Sequence, residues 1–173
     1  LVQEVSQSLG KKVSLHIEGI EGSLEKEKLQ FLHEAVIHLI RNSLDHGIEN
    51  PITRLERGKD EVGKIEINCY RNSDNSLVIK IDDDGGGIDI DKLIEKAKRS
   101  NIIKDEDIKN MTEKDKINLI FLPNLSTKER VSEISGRGVG MDAVKKILIE
   151  IGGDIKIENN FGHGTAFIIT IAS

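Results

Sequence analysis

The chain has 173 residues, of which 37% are hydrophobic, 32% charged and only 3% aromatic, with a formal net charge of -5. That length fits one domain with a sizeable core, and the composition excludes a disordered or fibrous chain. Acidity and scarce aromatics leave neither a basic patch nor a base-stacking platform, so nucleic acid is not an expected partner.

No run approaches the ~18 apolar residues of a membrane span, and the first ten residues lack the charged and apolar regions of a signal peptide. Membrane insertion is not expected. The first residue is Leu1, which points to a piece of a longer protein. A single cysteine, Cys69, cannot form an internal disulfide or a multi-thiolate metal site, and this fits the cytoplasm.

In chain order, residues 1–9 read as the end of a helix stopped by Gly10, a connector from a preceding domain. Val13, Leu15 and Ile17 alternate as in a half-buried strand. Residues 24–46 carry a long helical pattern free of proline. Gly47, Pro51 and a polar connector follow, then strand-like runs at 64–70 and 76–81 joined by the turn-prone segment 72–75.

A glycine cluster, a helix at 90–99, partly helical polar material to residue 120 and a long loop at 121–138 come next. An apolar helix at 139–151 and two last strands, 154–158 and 165–171, complete the chain. Strands and helices in this irregular order predict an α+β fold, a two-layer α/β sandwich whose mixed sheet is covered on one face by helices. The whole chain, 1–173, reads as a single domain.

The long helix has an unusual polar side. Leu29, Leu32, Val36, Leu39, Ile40 and Leu44 fall on one arc, with His33 on it as a hydrogen-bonded core histidine. His38, Arg41, Asn42, Asp45 and His46 gather opposite. Asn42 offers a neutral hard oxygen of the kind Mg2+ accepts beside phosphate oxygens. His38, one turn earlier, is placed to accept or relay a proton. A solvent face rich in His and Asn by chance is an equal alternative from the helix alone. Zinc on His38, Asp45 and His46 is a further alternative, weakened because adjacent helical residues diverge by about 100° and no fourth ligand is apparent.

The string at 81–88, Ile-Asp-Asp-Asp-Gly-Gly-Gly-Ile, puts carboxylates where a strand ends and glycines where the backbone bends closely around something. It is not an EF-hand, because Gly86 and Leu93 stand where ligands are needed. A second cluster, Gly136 to Asp142, opens the helix at 139. It lacks the preceding strand and third glycine of a dinucleotide fingerprint, yet a glycine-rich entry to a helix still presents free amides to an anion. No GxxxxGK[ST] string occurs, which excludes the common P-loop.

Taken in order, Asn on a polar helix face, Asp-x-Gly-x-Gly at Asp83, Gly85 and Gly87, a Gly-x-Gly-x-Gly segment and a final Gly164-Thr165 resemble the nucleotide boxes of the GHKL ATPases. The strings HLIRNSLDHGIE, FLPNLSTKE and SGRGVGMDAVKK are similar to the ATP-binding catalytic domain of CheA-type chemotaxis histidine kinases. The resemblance implies the GHKL sandwich with ATP under a flexible lid and transfer of the γ-phosphate to a histidine on a separate phosphoacceptor domain. It implies that Asp83 accepts a hydrogen bond from the adenine amino group, supported by Thr165, with Gly85, Gly87 and Ile88 close to the base. Guanine would turn a carbonyl toward that carboxylate, a mismatch worth up to roughly 10⁴-fold.

Asn42 would hold Mg2+, with Asp45 and His46 on the phosphate side. Ser126, Thr127, Lys128, Arg137, Gly138, Val139, Gly140 and Met141 would close over the phosphates, and Lys92 and Lys96 would reach them unless they only line a solvated face. His38 takes the place of the glutamate base of ATP-hydrolysing relatives. An attacking imidazole uses its own lone pair, so transfer needs positioning and charge neutralisation more than a base. Implied partners are the phosphoacceptor domain, a downstream response regulator and, through absent regions, a coupling protein and chemoreceptors in a cytoplasmic array. Gly86, Asn124 and Leu125 depart from the CheA pattern. A GHKL ATPase that hydrolyses ATP, or a regulatory module without turnover, is the competing reading.

Overall fold

The computed structural model describes residues 1–19, 24–123, 125 and 140–172. The chain divides into two compact units, residues 1–88 with 148–173, and residues 89–147. Each follows separately.

The first unit opens with α1 (Val2–Ser8) and β1 (Val13–Gly19), then α2 (Lys26–Asn42), which runs on into a π-helical turn at Ser43–Gly47. Leu32, Ala35, Leu39, Ile40 and Leu44 are buried along this helix, as the pattern requires. The inward face is narrower than the apolar arc, however. Leu29 is exposed, and His33, one turn on along the same edge, is exposed too, which corrects its reading as a core histidine.

The segment expected as a polar connector contains a further helix, α3 (Pro51–Glu56). Asn50 caps it, its side chain accepting from the Thr53 N–H at 2.9 Å, and Pro51 stands at the first turn where its missing N–H costs nothing. Strands β2 (Gly63–Arg71) and β3 (Leu77–Asp83) form the expected hairpin. Strands β4 (Gly153–Asn160) and β5 (Gly164–Ile171) complete a five-stranded sheet of order β1-β2-β3-β5-β4. The β1–β2 pair is parallel and the other pairs are antiparallel.

Register makes this sheet two-faced. Ile65, Ile81 and Phe167 lie on one face with Ile79, Ile169 and Ile155, all buried. Lys64, Glu66, Lys156 and Glu158 point the other way and are exposed. One face therefore meets the helical layer and the other meets water, the mixed two-layer arrangement that the patterning predicts. At one end of the buried face the apolar row stops, and Asp83 pairs across to Thr165, which pairs to Asn159. This polar end row becomes important below.

The second unit holds α4 (Ile90–Arg99), α5 (Asp105–Lys109), α6 (Glu113–Asn118), a 3-10 turn at Leu119–Phe121 and the start of α7 (Met141–Glu150). Asp89 caps α4 by accepting from the Lys92 N–H at 3.1 Å, and basic residues in its last turn suit the helix dipole. Thr112 and Asp115 form a reciprocal capping box on α6. Its own small core gathers Ala97, Ile103, Leu119 and Leu125, with Leu93 and Ile94 packed against them.

Candidate functional site

The polar end row of the first unit is built around one carboxylate. Asp83, the last residue of β3, is 7% exposed. Its Oδ2 accepts from the Ser43 hydroxyl at 2.8 Å, its Oδ1 accepts from the Gly85 N–H at 3.0 Å, and a backbone hydrogen bond joins it to Thr165. Burial pushes the Asp83 carboxyl above the ordinary carboxylate range, opposed by those neutral donors and assisted by the neighbouring Asp84 charge. A buried acceptor held by neutral groups suits a ligand that brings a donor.

The π turn supplies the Ser43 donor. Widening the last turn of the helix closes an Ile48 N–H to Ser43 C=O bond of 2.7 Å, and it sets Gly47 beside Asp83. Gly85 then packs on Gly47 so closely that an added Cβ would stand 2.2 Å from the Gly47 carbonyl oxygen, a contact no side chain tolerates. The Gly86 N–H bonds that same oxygen at 2.8 Å. The turn after Asp83 is thus locked to the end of the helix by backbone alone.

Asn42 ends α2, half-buried, one residue before Ser43, and His38 lies half-buried one turn earlier on the same face. Burial lowers the His38 pKa, the Arg41 charge lowers it further, and Glu34 works in the opposite direction. The imidazole is therefore neutral at physiological pH. Asp45 and His46 are exposed in the π turn. Among the described residues no group of three or more His, Cys, Asp or Glu side chains is placed to hold a metal, which leaves the zinc alternative without support. A hard amide oxygen at Asn42 does fit Mg2+ bound mainly through phosphate oxygens.

Of the sequence-predicted residues, the first unit brings together Asp83, Gly85, Gly87, Ile88 and Thr165, with Asn42, Asp45 and His46 on the adjoining helix end. Lys92, Lys96, Gly140 and Met141 belong to the second unit. There Lys92 is exposed and ion-paired with Asp89 at 3.0 Å. Lys96 donates to the Leu125 carbonyl at 2.6 Å, and burial lowers its pKa. Met141 is buried at the start of α7. Ser126, Thr127, Lys128, Arg137, Gly138 and Val139 lie outside the described residues.

Four contributors escaped the sequence reading: Ser43, Gly47, Asn159 and an ion network behind the turn. Ser43 carried a signal, because it falls three and four residues after Ile40 and Leu39 on the apolar stripe, where a buried hydroxyl must find a partner. The network had none. Arg54, 1% exposed, donates to Asp84 Oδ2 at 2.8 Å, to Glu49 Oε2 at 3.2 Å and to the Asp60 and Asp84 carbonyls. Lys59 joins Glu49 at 3.0 Å and bonds the Asp84 and Gly85 carbonyls at 2.9 and 2.7 Å.

Residues 27–173 match the family described as Histidine kinase-, DNA gyrase B-, and HSP90-like ATPase. The chain is 38% identical over 171 residues to the chemotaxis protein CheA of Bacillus subtilis, covering 99% of this chain and 25% of that protein. It is 44% identical over 165 residues to the sensor histidine kinase CheAY of Helicobacter pylori, covering 95% of this chain and 20% of that one. The chain thus spans about a quarter or less of the length of these relatives.

In three dimensions it is similar to the histidine kinase domain of the Erythrobacter litoralis EL346 blue-light activated histidine kinase. There the TM-score is 0.58 at 14% identity, over 98% of this chain and 56% of that one. The catalytic domain of histidine kinase ThkA aligns with a TM-score of 0.52 at 20% identity, over 99% of this chain and 89% of that one. These structures share the fold, and the sequence relatives bear out the CheA resemblance. With 147 of its residues inside the family match and the sandwich fold to go with it, the chain belongs to the histidine kinase, DNA gyrase B and HSP90-like ATPases.

Proposed function

We propose that residues 1–173 form an ATP-binding catalytic domain of a protein-histidine kinase, with residues 1–9 as its connector. It binds Mg-ATP and passes the γ-phosphoryl group to a histidine on a separate phosphoacceptor domain in chemotaxis signalling. The observation that carries this is the buried Asp83 carboxylate, held by Ser43, Gly85 and Thr165 at the polar end of the sheet. Such an acceptor matches the adenine amino group and opposes the guanine carbonyl, with discrimination up to roughly 10⁴-fold.

The Asn42 amide oxygen would hold Mg2+, which would supply charge neutralisation at the phosphate oxygens. The chain's own residues bind and orient: Asp83 and Thr165 take the base, while Asp45 and His46 line the phosphate side. His38, neutral and half-buried, stands where ATP-hydrolysing relatives carry a glutamate base. An attacking imidazole uses its own lone pair and needs no base, so the absence of that carboxylate favours transfer over hydrolysis. Among the described residues no helix is long and apolar enough to cross a membrane. The cellular setting we infer from the CheA relatives is cytoplasmic, at receptor arrays, with a coupling protein, chemoreceptors and a response regulator as partners of the longer kinase.

The test is incubation with γ-labelled Mg-ATP and a separately expressed phosphoacceptor domain, following protein-bound label and free phosphate together. Acid-labile, alkali-stable label on the acceptor, lost in Asn42→Ala, is the expected result. Free phosphate without label transfer would mean a hydrolase, and neither product would mean a module without turnover.

A further inference from the structure

The segment that follows Asp83 is fastened at both ends, and its far end is held by a side chain. Asn159, on β4, grips the backbone of Ile88 with both halves of its amide. Its Oδ1 accepts from the Ile88 N–H at 2.7 Å and its Nδ2 donates to the Ile88 carbonyl at 2.9 Å. The residues are 71 positions apart, and the pair reproduces what a neighbouring strand would give, without a strand.

Gly87 lies between, at φ +70°, where an added Cβ would stand 2.7 Å from the Asn160 carbonyl oxygen. The Gly162 N–H bonds the Gly86 carbonyl at 2.7 Å. The glycine segment is therefore laid on the β4–β5 end of the sheet, and of these attachments only the Asn159 amide is a side chain.

Asn159 also occupies the polar end row. It pairs in register with Thr165, which pairs with Asp83, and the Thr165 hydroxyl donates to Asn159 Oδ1 at 3.3 Å. One amide oxygen thus fixes both the end of the glycine segment and the direction of the Thr165 proton. With that proton committed to Asn159, the Thr165 oxygen turns its lone pairs outward and is an acceptor. Asp83 and Thr165 then present acceptors together, the pattern an exocyclic amino group requires.

We propose that Asn159 is a positioning residue for base recognition: it sets the glycine segment and the Thr165 hydroxyl so that the row reads an amino group and rejects a carbonyl. This deepens the adenine-nucleotide reading and rests on it. Asn159→Asp is the sharpest variant, since it keeps an acceptor for Ile88 N–H and Thr165 while setting a carboxylate oxygen against the Ile88 carbonyl. Asn159→Ala removes both halves.

The experiment measures, on wild type and both variants well below their melting temperatures, amide exchange of residues 85–88 without nucleotide and the affinities for ADP and GDP. We expect loss of amide protection in both variants, ADP affinity weakened between about fivefold and about a hundredfold, and a reduced ADP to GDP ratio. Unchanged exchange overturns the proposal, and so does faster exchange with an unchanged ADP to GDP ratio, which is what a purely structural clasp would give. A wild type that binds neither nucleotide sinks the nucleotide reading itself, while a wild type that binds ADP and variants that match it sink only the role of Asn159.

Discussion

At Asp83 two demands on one carboxylate pull in opposite directions with pH. Burial raises its pKa above the unfolded value, so its contribution to stability is fully present below the unfolded pKa and is lost as pH rises through the folded one. The base recognition proposed for Asp83 runs the other way, because only the ionised form is a pure acceptor, so ADP affinity should fall as pH drops through the raised folded pKa. Asp83→Asn separates the two: its amide oxygen can face the Gly85 N–H while its NH2 group faces the Ser43 hydroxyl, whose proton rotates away. We expect the unliganded variant to melt above wild type at pH 7 and to bind ADP about tenfold or more weakly, by calorimetry. A lower melting temperature would show that the charge is well solvated by its donors. His38 offers a second residue-scale contrast, since burial and Arg41 keep it neutral. His38→Glu places the carboxylate base of ATP-hydrolysing relatives where water would be activated, and basal release of phosphate from ATP should rise by about tenfold or more. An unchanged rate would remove His38 as the brake on hydrolysis.

Between α3 and the glycine turn, the ion network behaves as one element. Glu49 feels burial, which raises its pKa, but its backbone hydrogen bond and the charges of Lys59 and Arg54 outweigh that and hold it below the ordinary range. Its sign is therefore opposite to that of Asp83: the stabilisation is present above the unfolded pKa and is lost as pH falls through the depressed folded value. Arg54→Met keeps volume but takes the shared cation from between Glu49 and Asp84, leaving Glu49 to Lys59 and Arg57 and the Asp60 and Asp84 carbonyls without their Arg54 donor, at a cost of about 1–3 kcal/mol. Chemical denaturation at pH 7 should show that loss, and the gap between variant and wild type should narrow below about pH 4 as the carboxylates protonate. A gap constant with pH would mean that packing of the Arg54 stem, and not its charge, matters. The helix that carries Arg54 was missed in a segment read as a polar connector, although Asn50-Pro51 fits a cap followed by a residue suited to the first turn. The burial of Arg54 was not legible, because its partners come from residues 49, 60 and 84 and no local pattern links them.

Across the whole first unit, the strand-like runs at 64–70, 76–81, 154–158 and 165–171 were readable, and the motif at 83–87 pointed to the turn beside the buried Asp83. The alternation at Val13, Leu15 and Ile17 found a strand but not a half-buried one, since Leu15 and Ile17 are exposed. Strand order was not readable from that pattern, since a period of two states which side chains share a face and says nothing of which strand lies beside which. Asn159 shows the consequence: it looks like one more turn residue in sequence, and only the β3-β5-β4 order lines it up with Thr165 and Asp83. A site drawn from residues 42–47, 83–88 and 159–165 cannot exist in the unfolded chain, so a nucleotide that uses it binds the native state alone. Linkage then requires a stability gain of about 2.7 kcal/mol at a hundred times the dissociation constant. For a chain of this size that corresponds to a rise in melting temperature of about 5–10 °C. GTP at the same concentration, if its affinity is lower by even a thousandfold, should give a rise too small to measure. Equal shifts with ATP and GTP would show that the chain holds nucleotides by their phosphates and that the Asp83 row does not read the base.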